Sequence, residues 1–329
     1  MGAFAIGVDL GGTNMRVAAI DQNGKQLETI TTGTEVKRGR DSVINEMCQA
    51  IQSLAAKFHD SHKLVGIGIG VPGIIEMEKG TIRQAPNLPG WGDYPVKREI
   101  EERLGTTVFL ENDANAATLG EKWLGAARDF DAVALMTLGT GVGGGIVVDG
   151  RIWHGMSGMA GEMGHMTVYP DGVICGCSNR GCLEQYASAS AIKRMALEAI
   201  STGKAPELAR AMSENPEFSA KIVYQLATQG DLQAQEIFNK VGQALGIAMA
   251  SLINIFNFPM YVLGGGAASA WDAFAPAMFK ELTWRSVVYR SVAMDSEPGH
   301  KKTIITNALL GSDAGLVGAA RLPLQAAGL

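Results

Sequence analysis

Residues 5–21 read AIGVDLGGTNMRVAAID: an apolar strand (Ala5 to Leu10), a glycine turn (Gly11, Gly12, Thr13) and a second strand (Met15 to Asp21). This pattern predicts a hairpin and not a strand-to-helix turn. Backbone amides at paired glycines can approach phosphate oxygens closely, Thr13 adds a hydroxyl, and Asp9 at the strand end can hold Mg²⁺ through water. Taken alone, the segment reads equally well as an ordinary hairpin turn. Residues 132–149, AVALMTLGTGVGGGIVVD, repeat the plan of strand, glycine-rich turn and strand, with Thr140 placed like Thr13. The repetition predicts a duplicated α/β fold in which each half lends a phosphate-binding turn to one cleft, and it favours the phosphate reading of both turns.

A chain of 329 residues, 47% hydrophobic and 19% charged, is long enough for two domains with separate cores. Its formal net charge of −5 and pI near 5.6 argue against a nucleic-acid partner. The opening MGAFAIGVDLGG lacks a basic region ahead of an apolar run, so the expected location is cytoplasmic. Four cysteines, three of them clustered, make no disulfide framework, and Cys48 reads as a small buried hydrophobe on a helix. The stretch from Val241 to Trp271 carries no charge. Gln243, Asn254, Asn257, Pro259 and Gly264 to Gly266 interrupt it, which predicts a buried helix followed by a buried strand and no membrane partner.

Further elements follow from periodicity. Helical spacing covers Asp41 to Phe58, with Asp41 as the expected N-cap, and Leu64 to Val71 reads as an apolar strand. Two Gly-x-Gly-x-x-Gly matches, at Gly68 and Gly139, precede strand-like sequence, so neither reads as a dinucleotide fingerprint, and no Walker A sequence is present. Asn87 stands in a loop beside Trp91, a pairing that suits a sugar hydroxyl and also ordinary turns. A helix over Pro95 to Leu104 stops at Gly105. The strand Thr107 to Leu110 then delivers Glu111, Asn112 and Asp113. Asp113 falls where strand meets helix, a junction that turns side chains into clefts, and also the place of a helix N-cap. Helices are expected over Ser188 to Ile200, Asp231 to Phe256 and Ser312 to Leu322, with the charged region from Ala205 to Lys221 as a solvated connection. After the strand Tyr261 to Leu263, the triple glycine with Gly265 and Gly266 allows close approach of a flat base or ribose, or forms a loose turn.

Residues 161–184, GEMGHMTVYPDGVICGCSNRGCLE, concentrate ligand-type side chains as no other stretch does. His165, Cys175, Cys177 and Cys182 supply one imidazole and three thiolates, a complete tetrahedral donor set for a closed, structural Zn²⁺ site. Reduced core cysteines or redox thiols are the competing reading, which turn-forming Gly176 and Gly181 disfavour.

With these motifs assembled, the sequence resembles the ROK family (repressor, open reading frame, kinase) of sugar kinases and sugar-responsive regulators, over nearly the whole chain. The resemblance rests on Asp9 to Thr13, Glu111-Asn112-Asp113, Leu138 to Gly145, Gly161-Glu162-x-Gly164-His165, and the cysteine cluster ending at Glu184. It implies the actin-like ATPase (ribonuclease H-like) fold, with a small α/β domain of residues 1–115 plus 311–329 and a large one of residues 116–310 carrying the zinc. The implied activity is ATP-dependent phosphorylation of a hexose, glucose favoured, at its 6-hydroxyl. N-acetylmannosamine, mannose or fructose kinases, and a non-catalytic sugar-sensing regulator, are the alternatives. Position by position, the family implies Asp113 as catalytic base and Asn87, Asn112, Asp113, Glu162, His165 and Glu184 around the sugar. His165 would also bind zinc beside Cys175, Cys177 and Cys182. Asp9, Gly11, Gly12, Thr13, Thr140, Gly141, Gly265 and Gly266 would hold ATP and its Mg²⁺, and the protein would be a homodimer or homotetramer. Regulators of this family carry an amino-terminal helix-turn-helix domain, for which the turn at Asp9 leaves no room. Ser178 departs from the family, which usually has glycine after the second cysteine.

Overall fold

The computed structural model describes residues 2–85, 87–293 and 302–329. The strands are β1 (Gly2–Leu10), β2 (Asn14–Asp21), β3 (Gln26–Gly33), β4 (His62–Val71), β5 (Ile74–Glu76), β6 (Thr81–Gln84), β7 (Val108–Asn112), β8 (Ala132–Leu138), β9 (Val142–Val148), β10 (Arg151–Ile152), β11 (Met260–Gly264) and β12 (Ile304–Asn307). The helices are α1 (Arg40–Phe58), α2 (Val96–Leu104), α3 (Asp113–Trp123), α4 (Glu184–Ala187), α5 (Ala189–Ser201), α6 (Pro206–Glu214), α7 (Ala220–Thr228), α8 (Leu232–Phe256), α9 (Trp271–Arg285), α10 (Val287–Ala293) and α11 (Ala314–Ala326).

The two main sheets share one plan. The first has the order β3-β2-β1-β4-β7 and the second β10-β9-β8-β11-β12, so in each the third, second, first, fourth and fifth strands of the set lie side by side. In the first sheet, β1–β2 and β2–β3 are antiparallel while β1–β4 and β4–β7 are parallel. In the second, β9–β10 is antiparallel and β11–β12 parallel, as the repeat requires. Packing groups residues 1–133, 145–161 and 309–329 into one unit and residues 134–144 and 162–308 into another. Relative to the boundaries expected from sequence, this grouping places residues 116–133, 145–161 and 309–310 with the first unit.

In the first unit, strand alternation sorts large from small residues. Phe4, Ile6, Val8 and Leu10 of β1, with Ile67, Ile69 and Val71 of β4, join Val43, Met47, Ile51 and Leu54 of α1 and Val96 and Ile100 of α2 in one core. The opposite face carries Ala5 and Ala18, packed against Leu316, Val317, Ala320 and Leu324 of α11. Small residues there let α11 lie close to the sheet: a Cβ at Gly68 would come 1.8 Å from the Ala319 carbonyl oxygen. The run LVGIGIGV of β4 is therefore an alternation of large residues and glycines that serves two unlike faces. Helix α11 crosses α3 just as closely, since a Cβ at Gly318 would lie 1.6 Å from the Ala116 carbonyl oxygen.

Some local expectations are corrected and others hold. The N-cap of α1 is Gly39, and Asp41 lies within the first turn, where a carboxylate favours the positive end of the helix dipole. The charged side chains between Ala205 and Lys221 are exposed, as expected, but the segment is helical: Pro206 opens α6 at its first position, and buried Leu208 and Val223 anchor α6 and α7. Asp231 and Ser188 cap α8 and α5, their side chains accepting from the amides of Ala234 and Ala191. The charge-free stretch forms the end of α8, then β11, all of whose residues are buried, and the start of α9. Among the described residues no helix is long and apolar enough to cross a membrane.

Candidate active site

In the first unit, parallel pairing sets Asp9 opposite Gly70 and Gly70 opposite Glu111, so the carboxyl ends of β1, β4 and β7 form one rim. Open α/β sheets bind ligands at such rims. The alternation that buries Leu10 on the α1 side turns Asp9 to the α11 side, where a Cβ at Gly315 would meet Asp9 Oδ1 at 3.4 Å. Burial pushes the Asp9 carboxyl above the usual range, partly offset by the Arg16 guanidinium. Arg16 is itself held by Asp313 and the Ser312 carbonyl.

The turn after Asp9 is closed by the Gly11 amide donating to the Asn14 carbonyl at 2.9 Å. Thr34 braces it from β3's end, its hydroxyl donating to the Gly11 carbonyl at 2.7 Å and its amide to the Thr13 carbonyl at 2.8 Å. Gly12 faces Asn87, whose carbonyl oxygen would lie 3.2 Å from a Cβ there. Asn87 itself is exposed.

At the β7–α3 junction the N-cap is Asn112 and Asp113 follows it. Asn112 Oδ1 accepts from the amides of Ala114 at 2.9 Å and Asn115 at 3.2 Å, while its Nδ2 donates to the Gly73 carbonyl at 3.2 Å. Asp113 is the first helical residue, with Oδ1 accepting from the Ala114 amide at 2.9 Å. It stands near the rim, its Cα 3.8 Å from where a Gly70 Cβ would lie.

In the second unit, the turn between β8 and β9 and the loop after β11 meet. Gly265 adopts φ +83°, and a Cβ there would come within 2.6 to 2.8 Å of the Leu138 backbone, so glycine alone allows this approach. Beside them opens a cavity of about 580 Å³, lined by Gly139 and Thr140 from the turn, Gly266 and Ser269 from the loop, and Lys221 and Tyr224 from α7, among others. Its size and mostly apolar wall suit an aromatic base. Thr140 and Gly266 were legible as candidates. The α7 wall was not, because its charged flanks read as solvated, although buried Phe218 and Val223 carried the signal.

The ligand atoms of His165, Cys175, Cys177 and Cys182 all lie within 4.8 Å of one another. Zn–S and Zn–N bonds of about 2.3 and 2.0 Å place tetrahedral neighbours roughly 3.5–3.8 Å apart. Cys177 Sγ and Cys182 Sγ are separated by 3.7 Å, as are Cys175 Sγ and His165 Nδ1, so the donors fit zinc. Burial, with the neighbouring sulfurs adding, pushes the Cys182 thiol up to about 12, a state that a bound cation would reverse. The other ring nitrogen of His165, Nε2, faces Glu162 Oε2 at 4.0 Å. Ser178, where the family resemblance implies glycine, has φ +72°, a left-handed backbone that glycine adopts without strain.

Glu184, the first residue of α4, reaches from this knuckle to the β8–β9 turn, where its Oε2 accepts from the Val142 amide at 3.0 Å. The sequence places the two 42 residues apart and gives no hint of the bond. Also unforeseen is a pair beside α3: Glu111, 1% exposed, accepts from His154 Nε2 at 2.7 Å.

A duplicated actin-like α/β fold with two glycine-turn hairpins and a His-Cys₃ knuckle defines a class of sugar kinases and related regulators. The chain belongs to the ROK family, whose model matches residues 5–326. It is 38% identical to a glucokinase of Thermotoga maritima over 96% of either chain. Among solved structures it is similar to a ROK hexokinase of Thermus thermophilus (33% identity, TM-score 0.79, 97% of each chain). It is also similar to a ROK glucokinase of Streptomyces griseus in complex with glucose and AMPPNP (33% identity, TM-score 0.76, 98% of this chain and all of that one).

Proposed function

We propose that this protein is an ATP-dependent glucose kinase in which Asp113 is the general base. The observation that supports the assignment is the position of Asp113 as the first residue of α3, beside the capping Asn112 and at the rim formed by the carboxyl ends of β1, β4 and β7. In the reaction, the proton of the sugar 6-hydroxyl passes to the Asp113 carboxylate. The hydroxyl oxygen bonds to the γ-phosphorus of ATP, and the bond from that phosphorus to the bridging oxygen breaks, releasing ADP. Asp9 would help to hold Mg²⁺ through water, and the ion would lower the charge on the transferring phosphoryl group. The turns at Gly11 to Thr13 and at Thr140 and Gly141 hold phosphates with backbone amides and hydroxyls, and the cavity beside Gly265 and Gly266 takes the base.

Asn87, Asn112, Glu162, His165 and Glu184 take the sugar hydroxyls. His165 binds zinc through Nδ1 in this reading, which leaves Nε2, beside Glu162, for the sugar. His165, Cys175, Cys177 and Cys182 would hold a structural zinc ion, which would fix the His165 ring and the backbone leading to Glu184. The cytoplasmic location and the homodimer or homotetramer belong to the same proposal, and light scattering of the purified protein checks the oligomer.

The test is ADP release measured across a panel of hexoses, for the protein and for Asp113→Asn. Glucose is expected to give the highest kcat/KM. The variant is expected to lose about 10²-fold or more in turnover while still binding the sugar. A variant with near-normal turnover, or a protein that releases no ADP with any hexose, overturns the assignment.

A further inference from the structure

Glu111 is among the few buried charged side chains of the described residues, and every oxygen it has is committed. Its Oε1 accepts from the Asn112 amide at 2.9 Å and from Nδ2 of buried Asn115 at 3.0 Å, and its Oε2 from His154 Nε2 at 2.7 Å. A carboxylate this buried must be neutralised or fully hydrogen-bonded, and His154 supplies the hydrogen bond that completes the second. The hydrogen bond to Glu111 raises the affinity of the His154 ring for its proton, against the opposing effect of burial.

The two ends of this pair hold different things. On one side, Glu111 fixes the amide of the capping residue and the side chain of Asn115, the residues flanking Asp113. On the other, His154 lies on the loop after β10, which runs from Trp153 to Gly161. That loop has little apolar anchoring of its own: Trp153 is 56% exposed, Met159 41%, and Met156 fully so. It is held by the Trp153 amide on the Ile146 carbonyl, the Ala160 amide on the His154 carbonyl, and the imidazole on Glu111.

We propose that His154 and Glu111 are a positioning pair that fixes the first turn of α3, and with it the Asp113 carboxylate, to the loop 153–161. The proposal rests on Asp113 being the catalytic base. The pair touches no reacting atom. Its part is to hold Asp113 in one orientation, and a loss of roughly an ångström in such placement costs on the order of 10²-fold in rate. Losing the imidazole leaves Oε2 of a buried carboxylate without its hydrogen-bond donor, which loosens the turn that Glu111 holds.

The experiment compares His154→Ala, His154→Gln and Asp113→Asn in the full-length protein, reading kcat, the KM for each substrate and Tm. His154→Ala is expected to lower kcat at least tenfold with the KM for ATP within about twofold of the parent. Gln at this position can still donate to Glu111 Oε2, so His154→Gln is expected to recover most of the lost kcat. Unchanged kcat in His154→Ala overturns the proposal. So does a His154→Gln protein whose Tm is restored while kcat stays low, because the bond is then structural only. Near-normal turnover in Asp113→Asn sinks the general-base assignment, whereas an inactive Asp113→Asn beside a fully active His154→Ala sinks the positioning pair alone.

Discussion

Glu184 Oε2 and the backbone amide of Val142 are hydrogen-bonded at 3.0 Å, which ties the residue two positions after the last cysteine of the zinc knuckle to the glycine turn of the β8–β9 hairpin. The contact is tight on its other side too, since a Cβ at Gly141 would lie 2.4 Å from the same carboxylate oxygen. Hydrogen bonds to charged groups are worth roughly 1.5–3 kcal/mol. Glu184→Ala is therefore expected to weaken nucleotide binding about tenfold even without sugar, read by calorimetric titration of an ATP analogue. Unchanged nucleotide affinity with zinc retained would show that the bond does not order the turn.

Removal of zinc is expected to reach further than the sugar. Chelation, or Cys177→Ala, frees the His165 ring and the segment that carries Glu184, so sugar affinity falls most and nucleotide affinity falls with it. Because the thiols must be deprotonated to bind metal, zinc is expected to be released as pH falls, with a matching drop in Tm. A zinc-free protein that keeps its sugar affinity contradicts this account. Metal content by mass spectrometry, measured beside Tm and both affinities, provides the check.

Ser178 stands with φ +72° within the knuckle, between Cys177 and Asn179. A left-handed backbone costs an L-residue roughly 1–2 kcal/mol that glycine avoids. Ser178→Gly is expected to raise Tm by a few degrees, with zinc content and kcat unchanged. A fall in Tm would mean that the Ser178 side chain contributes a contact worth more than the strain.

Burial raises the Asp9 pKa above its unfolded value. A carboxyl shifted upward contributes stability below its unfolded pKa, and that contribution is lost as pH rises through the folded pKa. At neutral pH the ionised group is thus a stability cost that the bound Mg²⁺–nucleotide would offset. Asp9→Asn is expected to raise Tm at pH 7, to lose that advantage as pH falls toward the ordinary aspartate range near 3.9, and to lose nucleotide binding. Thermal melts across pH, in the absence of nucleotide, test the sign; a lower Tm at pH 7 refutes it.

Much of the site was legible because short motifs keep their neighbours. Asp9 and the turn that follows lie on one hairpin, and the four zinc ligands fall within 18 residues, so local chain geometry alone brings each group together. The strand-to-helix step at Asp113 was equally plain. Which of Asn112 and Asp113 caps α3 was not, because both side chains suit the position and only the placement of the Gly73 carbonyl beside Asn112 fixes one of them. Misread elements have similar causes: the wall of α7 hid behind charged flanks, and β4 looked uniformly apolar when its glycines serve the close passage of α11.

The amino-acid sequence by itself determined the repeated strand-turn-strand plan, the family, the donor set for zinc and the carboxylate at the head of α3, since each is written in residues within a few positions of one another. The tertiary structure alone decided that Glu184 holds the Val142 amide and that His154 holds Glu111. Those partners stand 42 and 43 residues apart, and buried charges and backbone amides are paired by whatever the packed chain brings within reach, which no local pattern records.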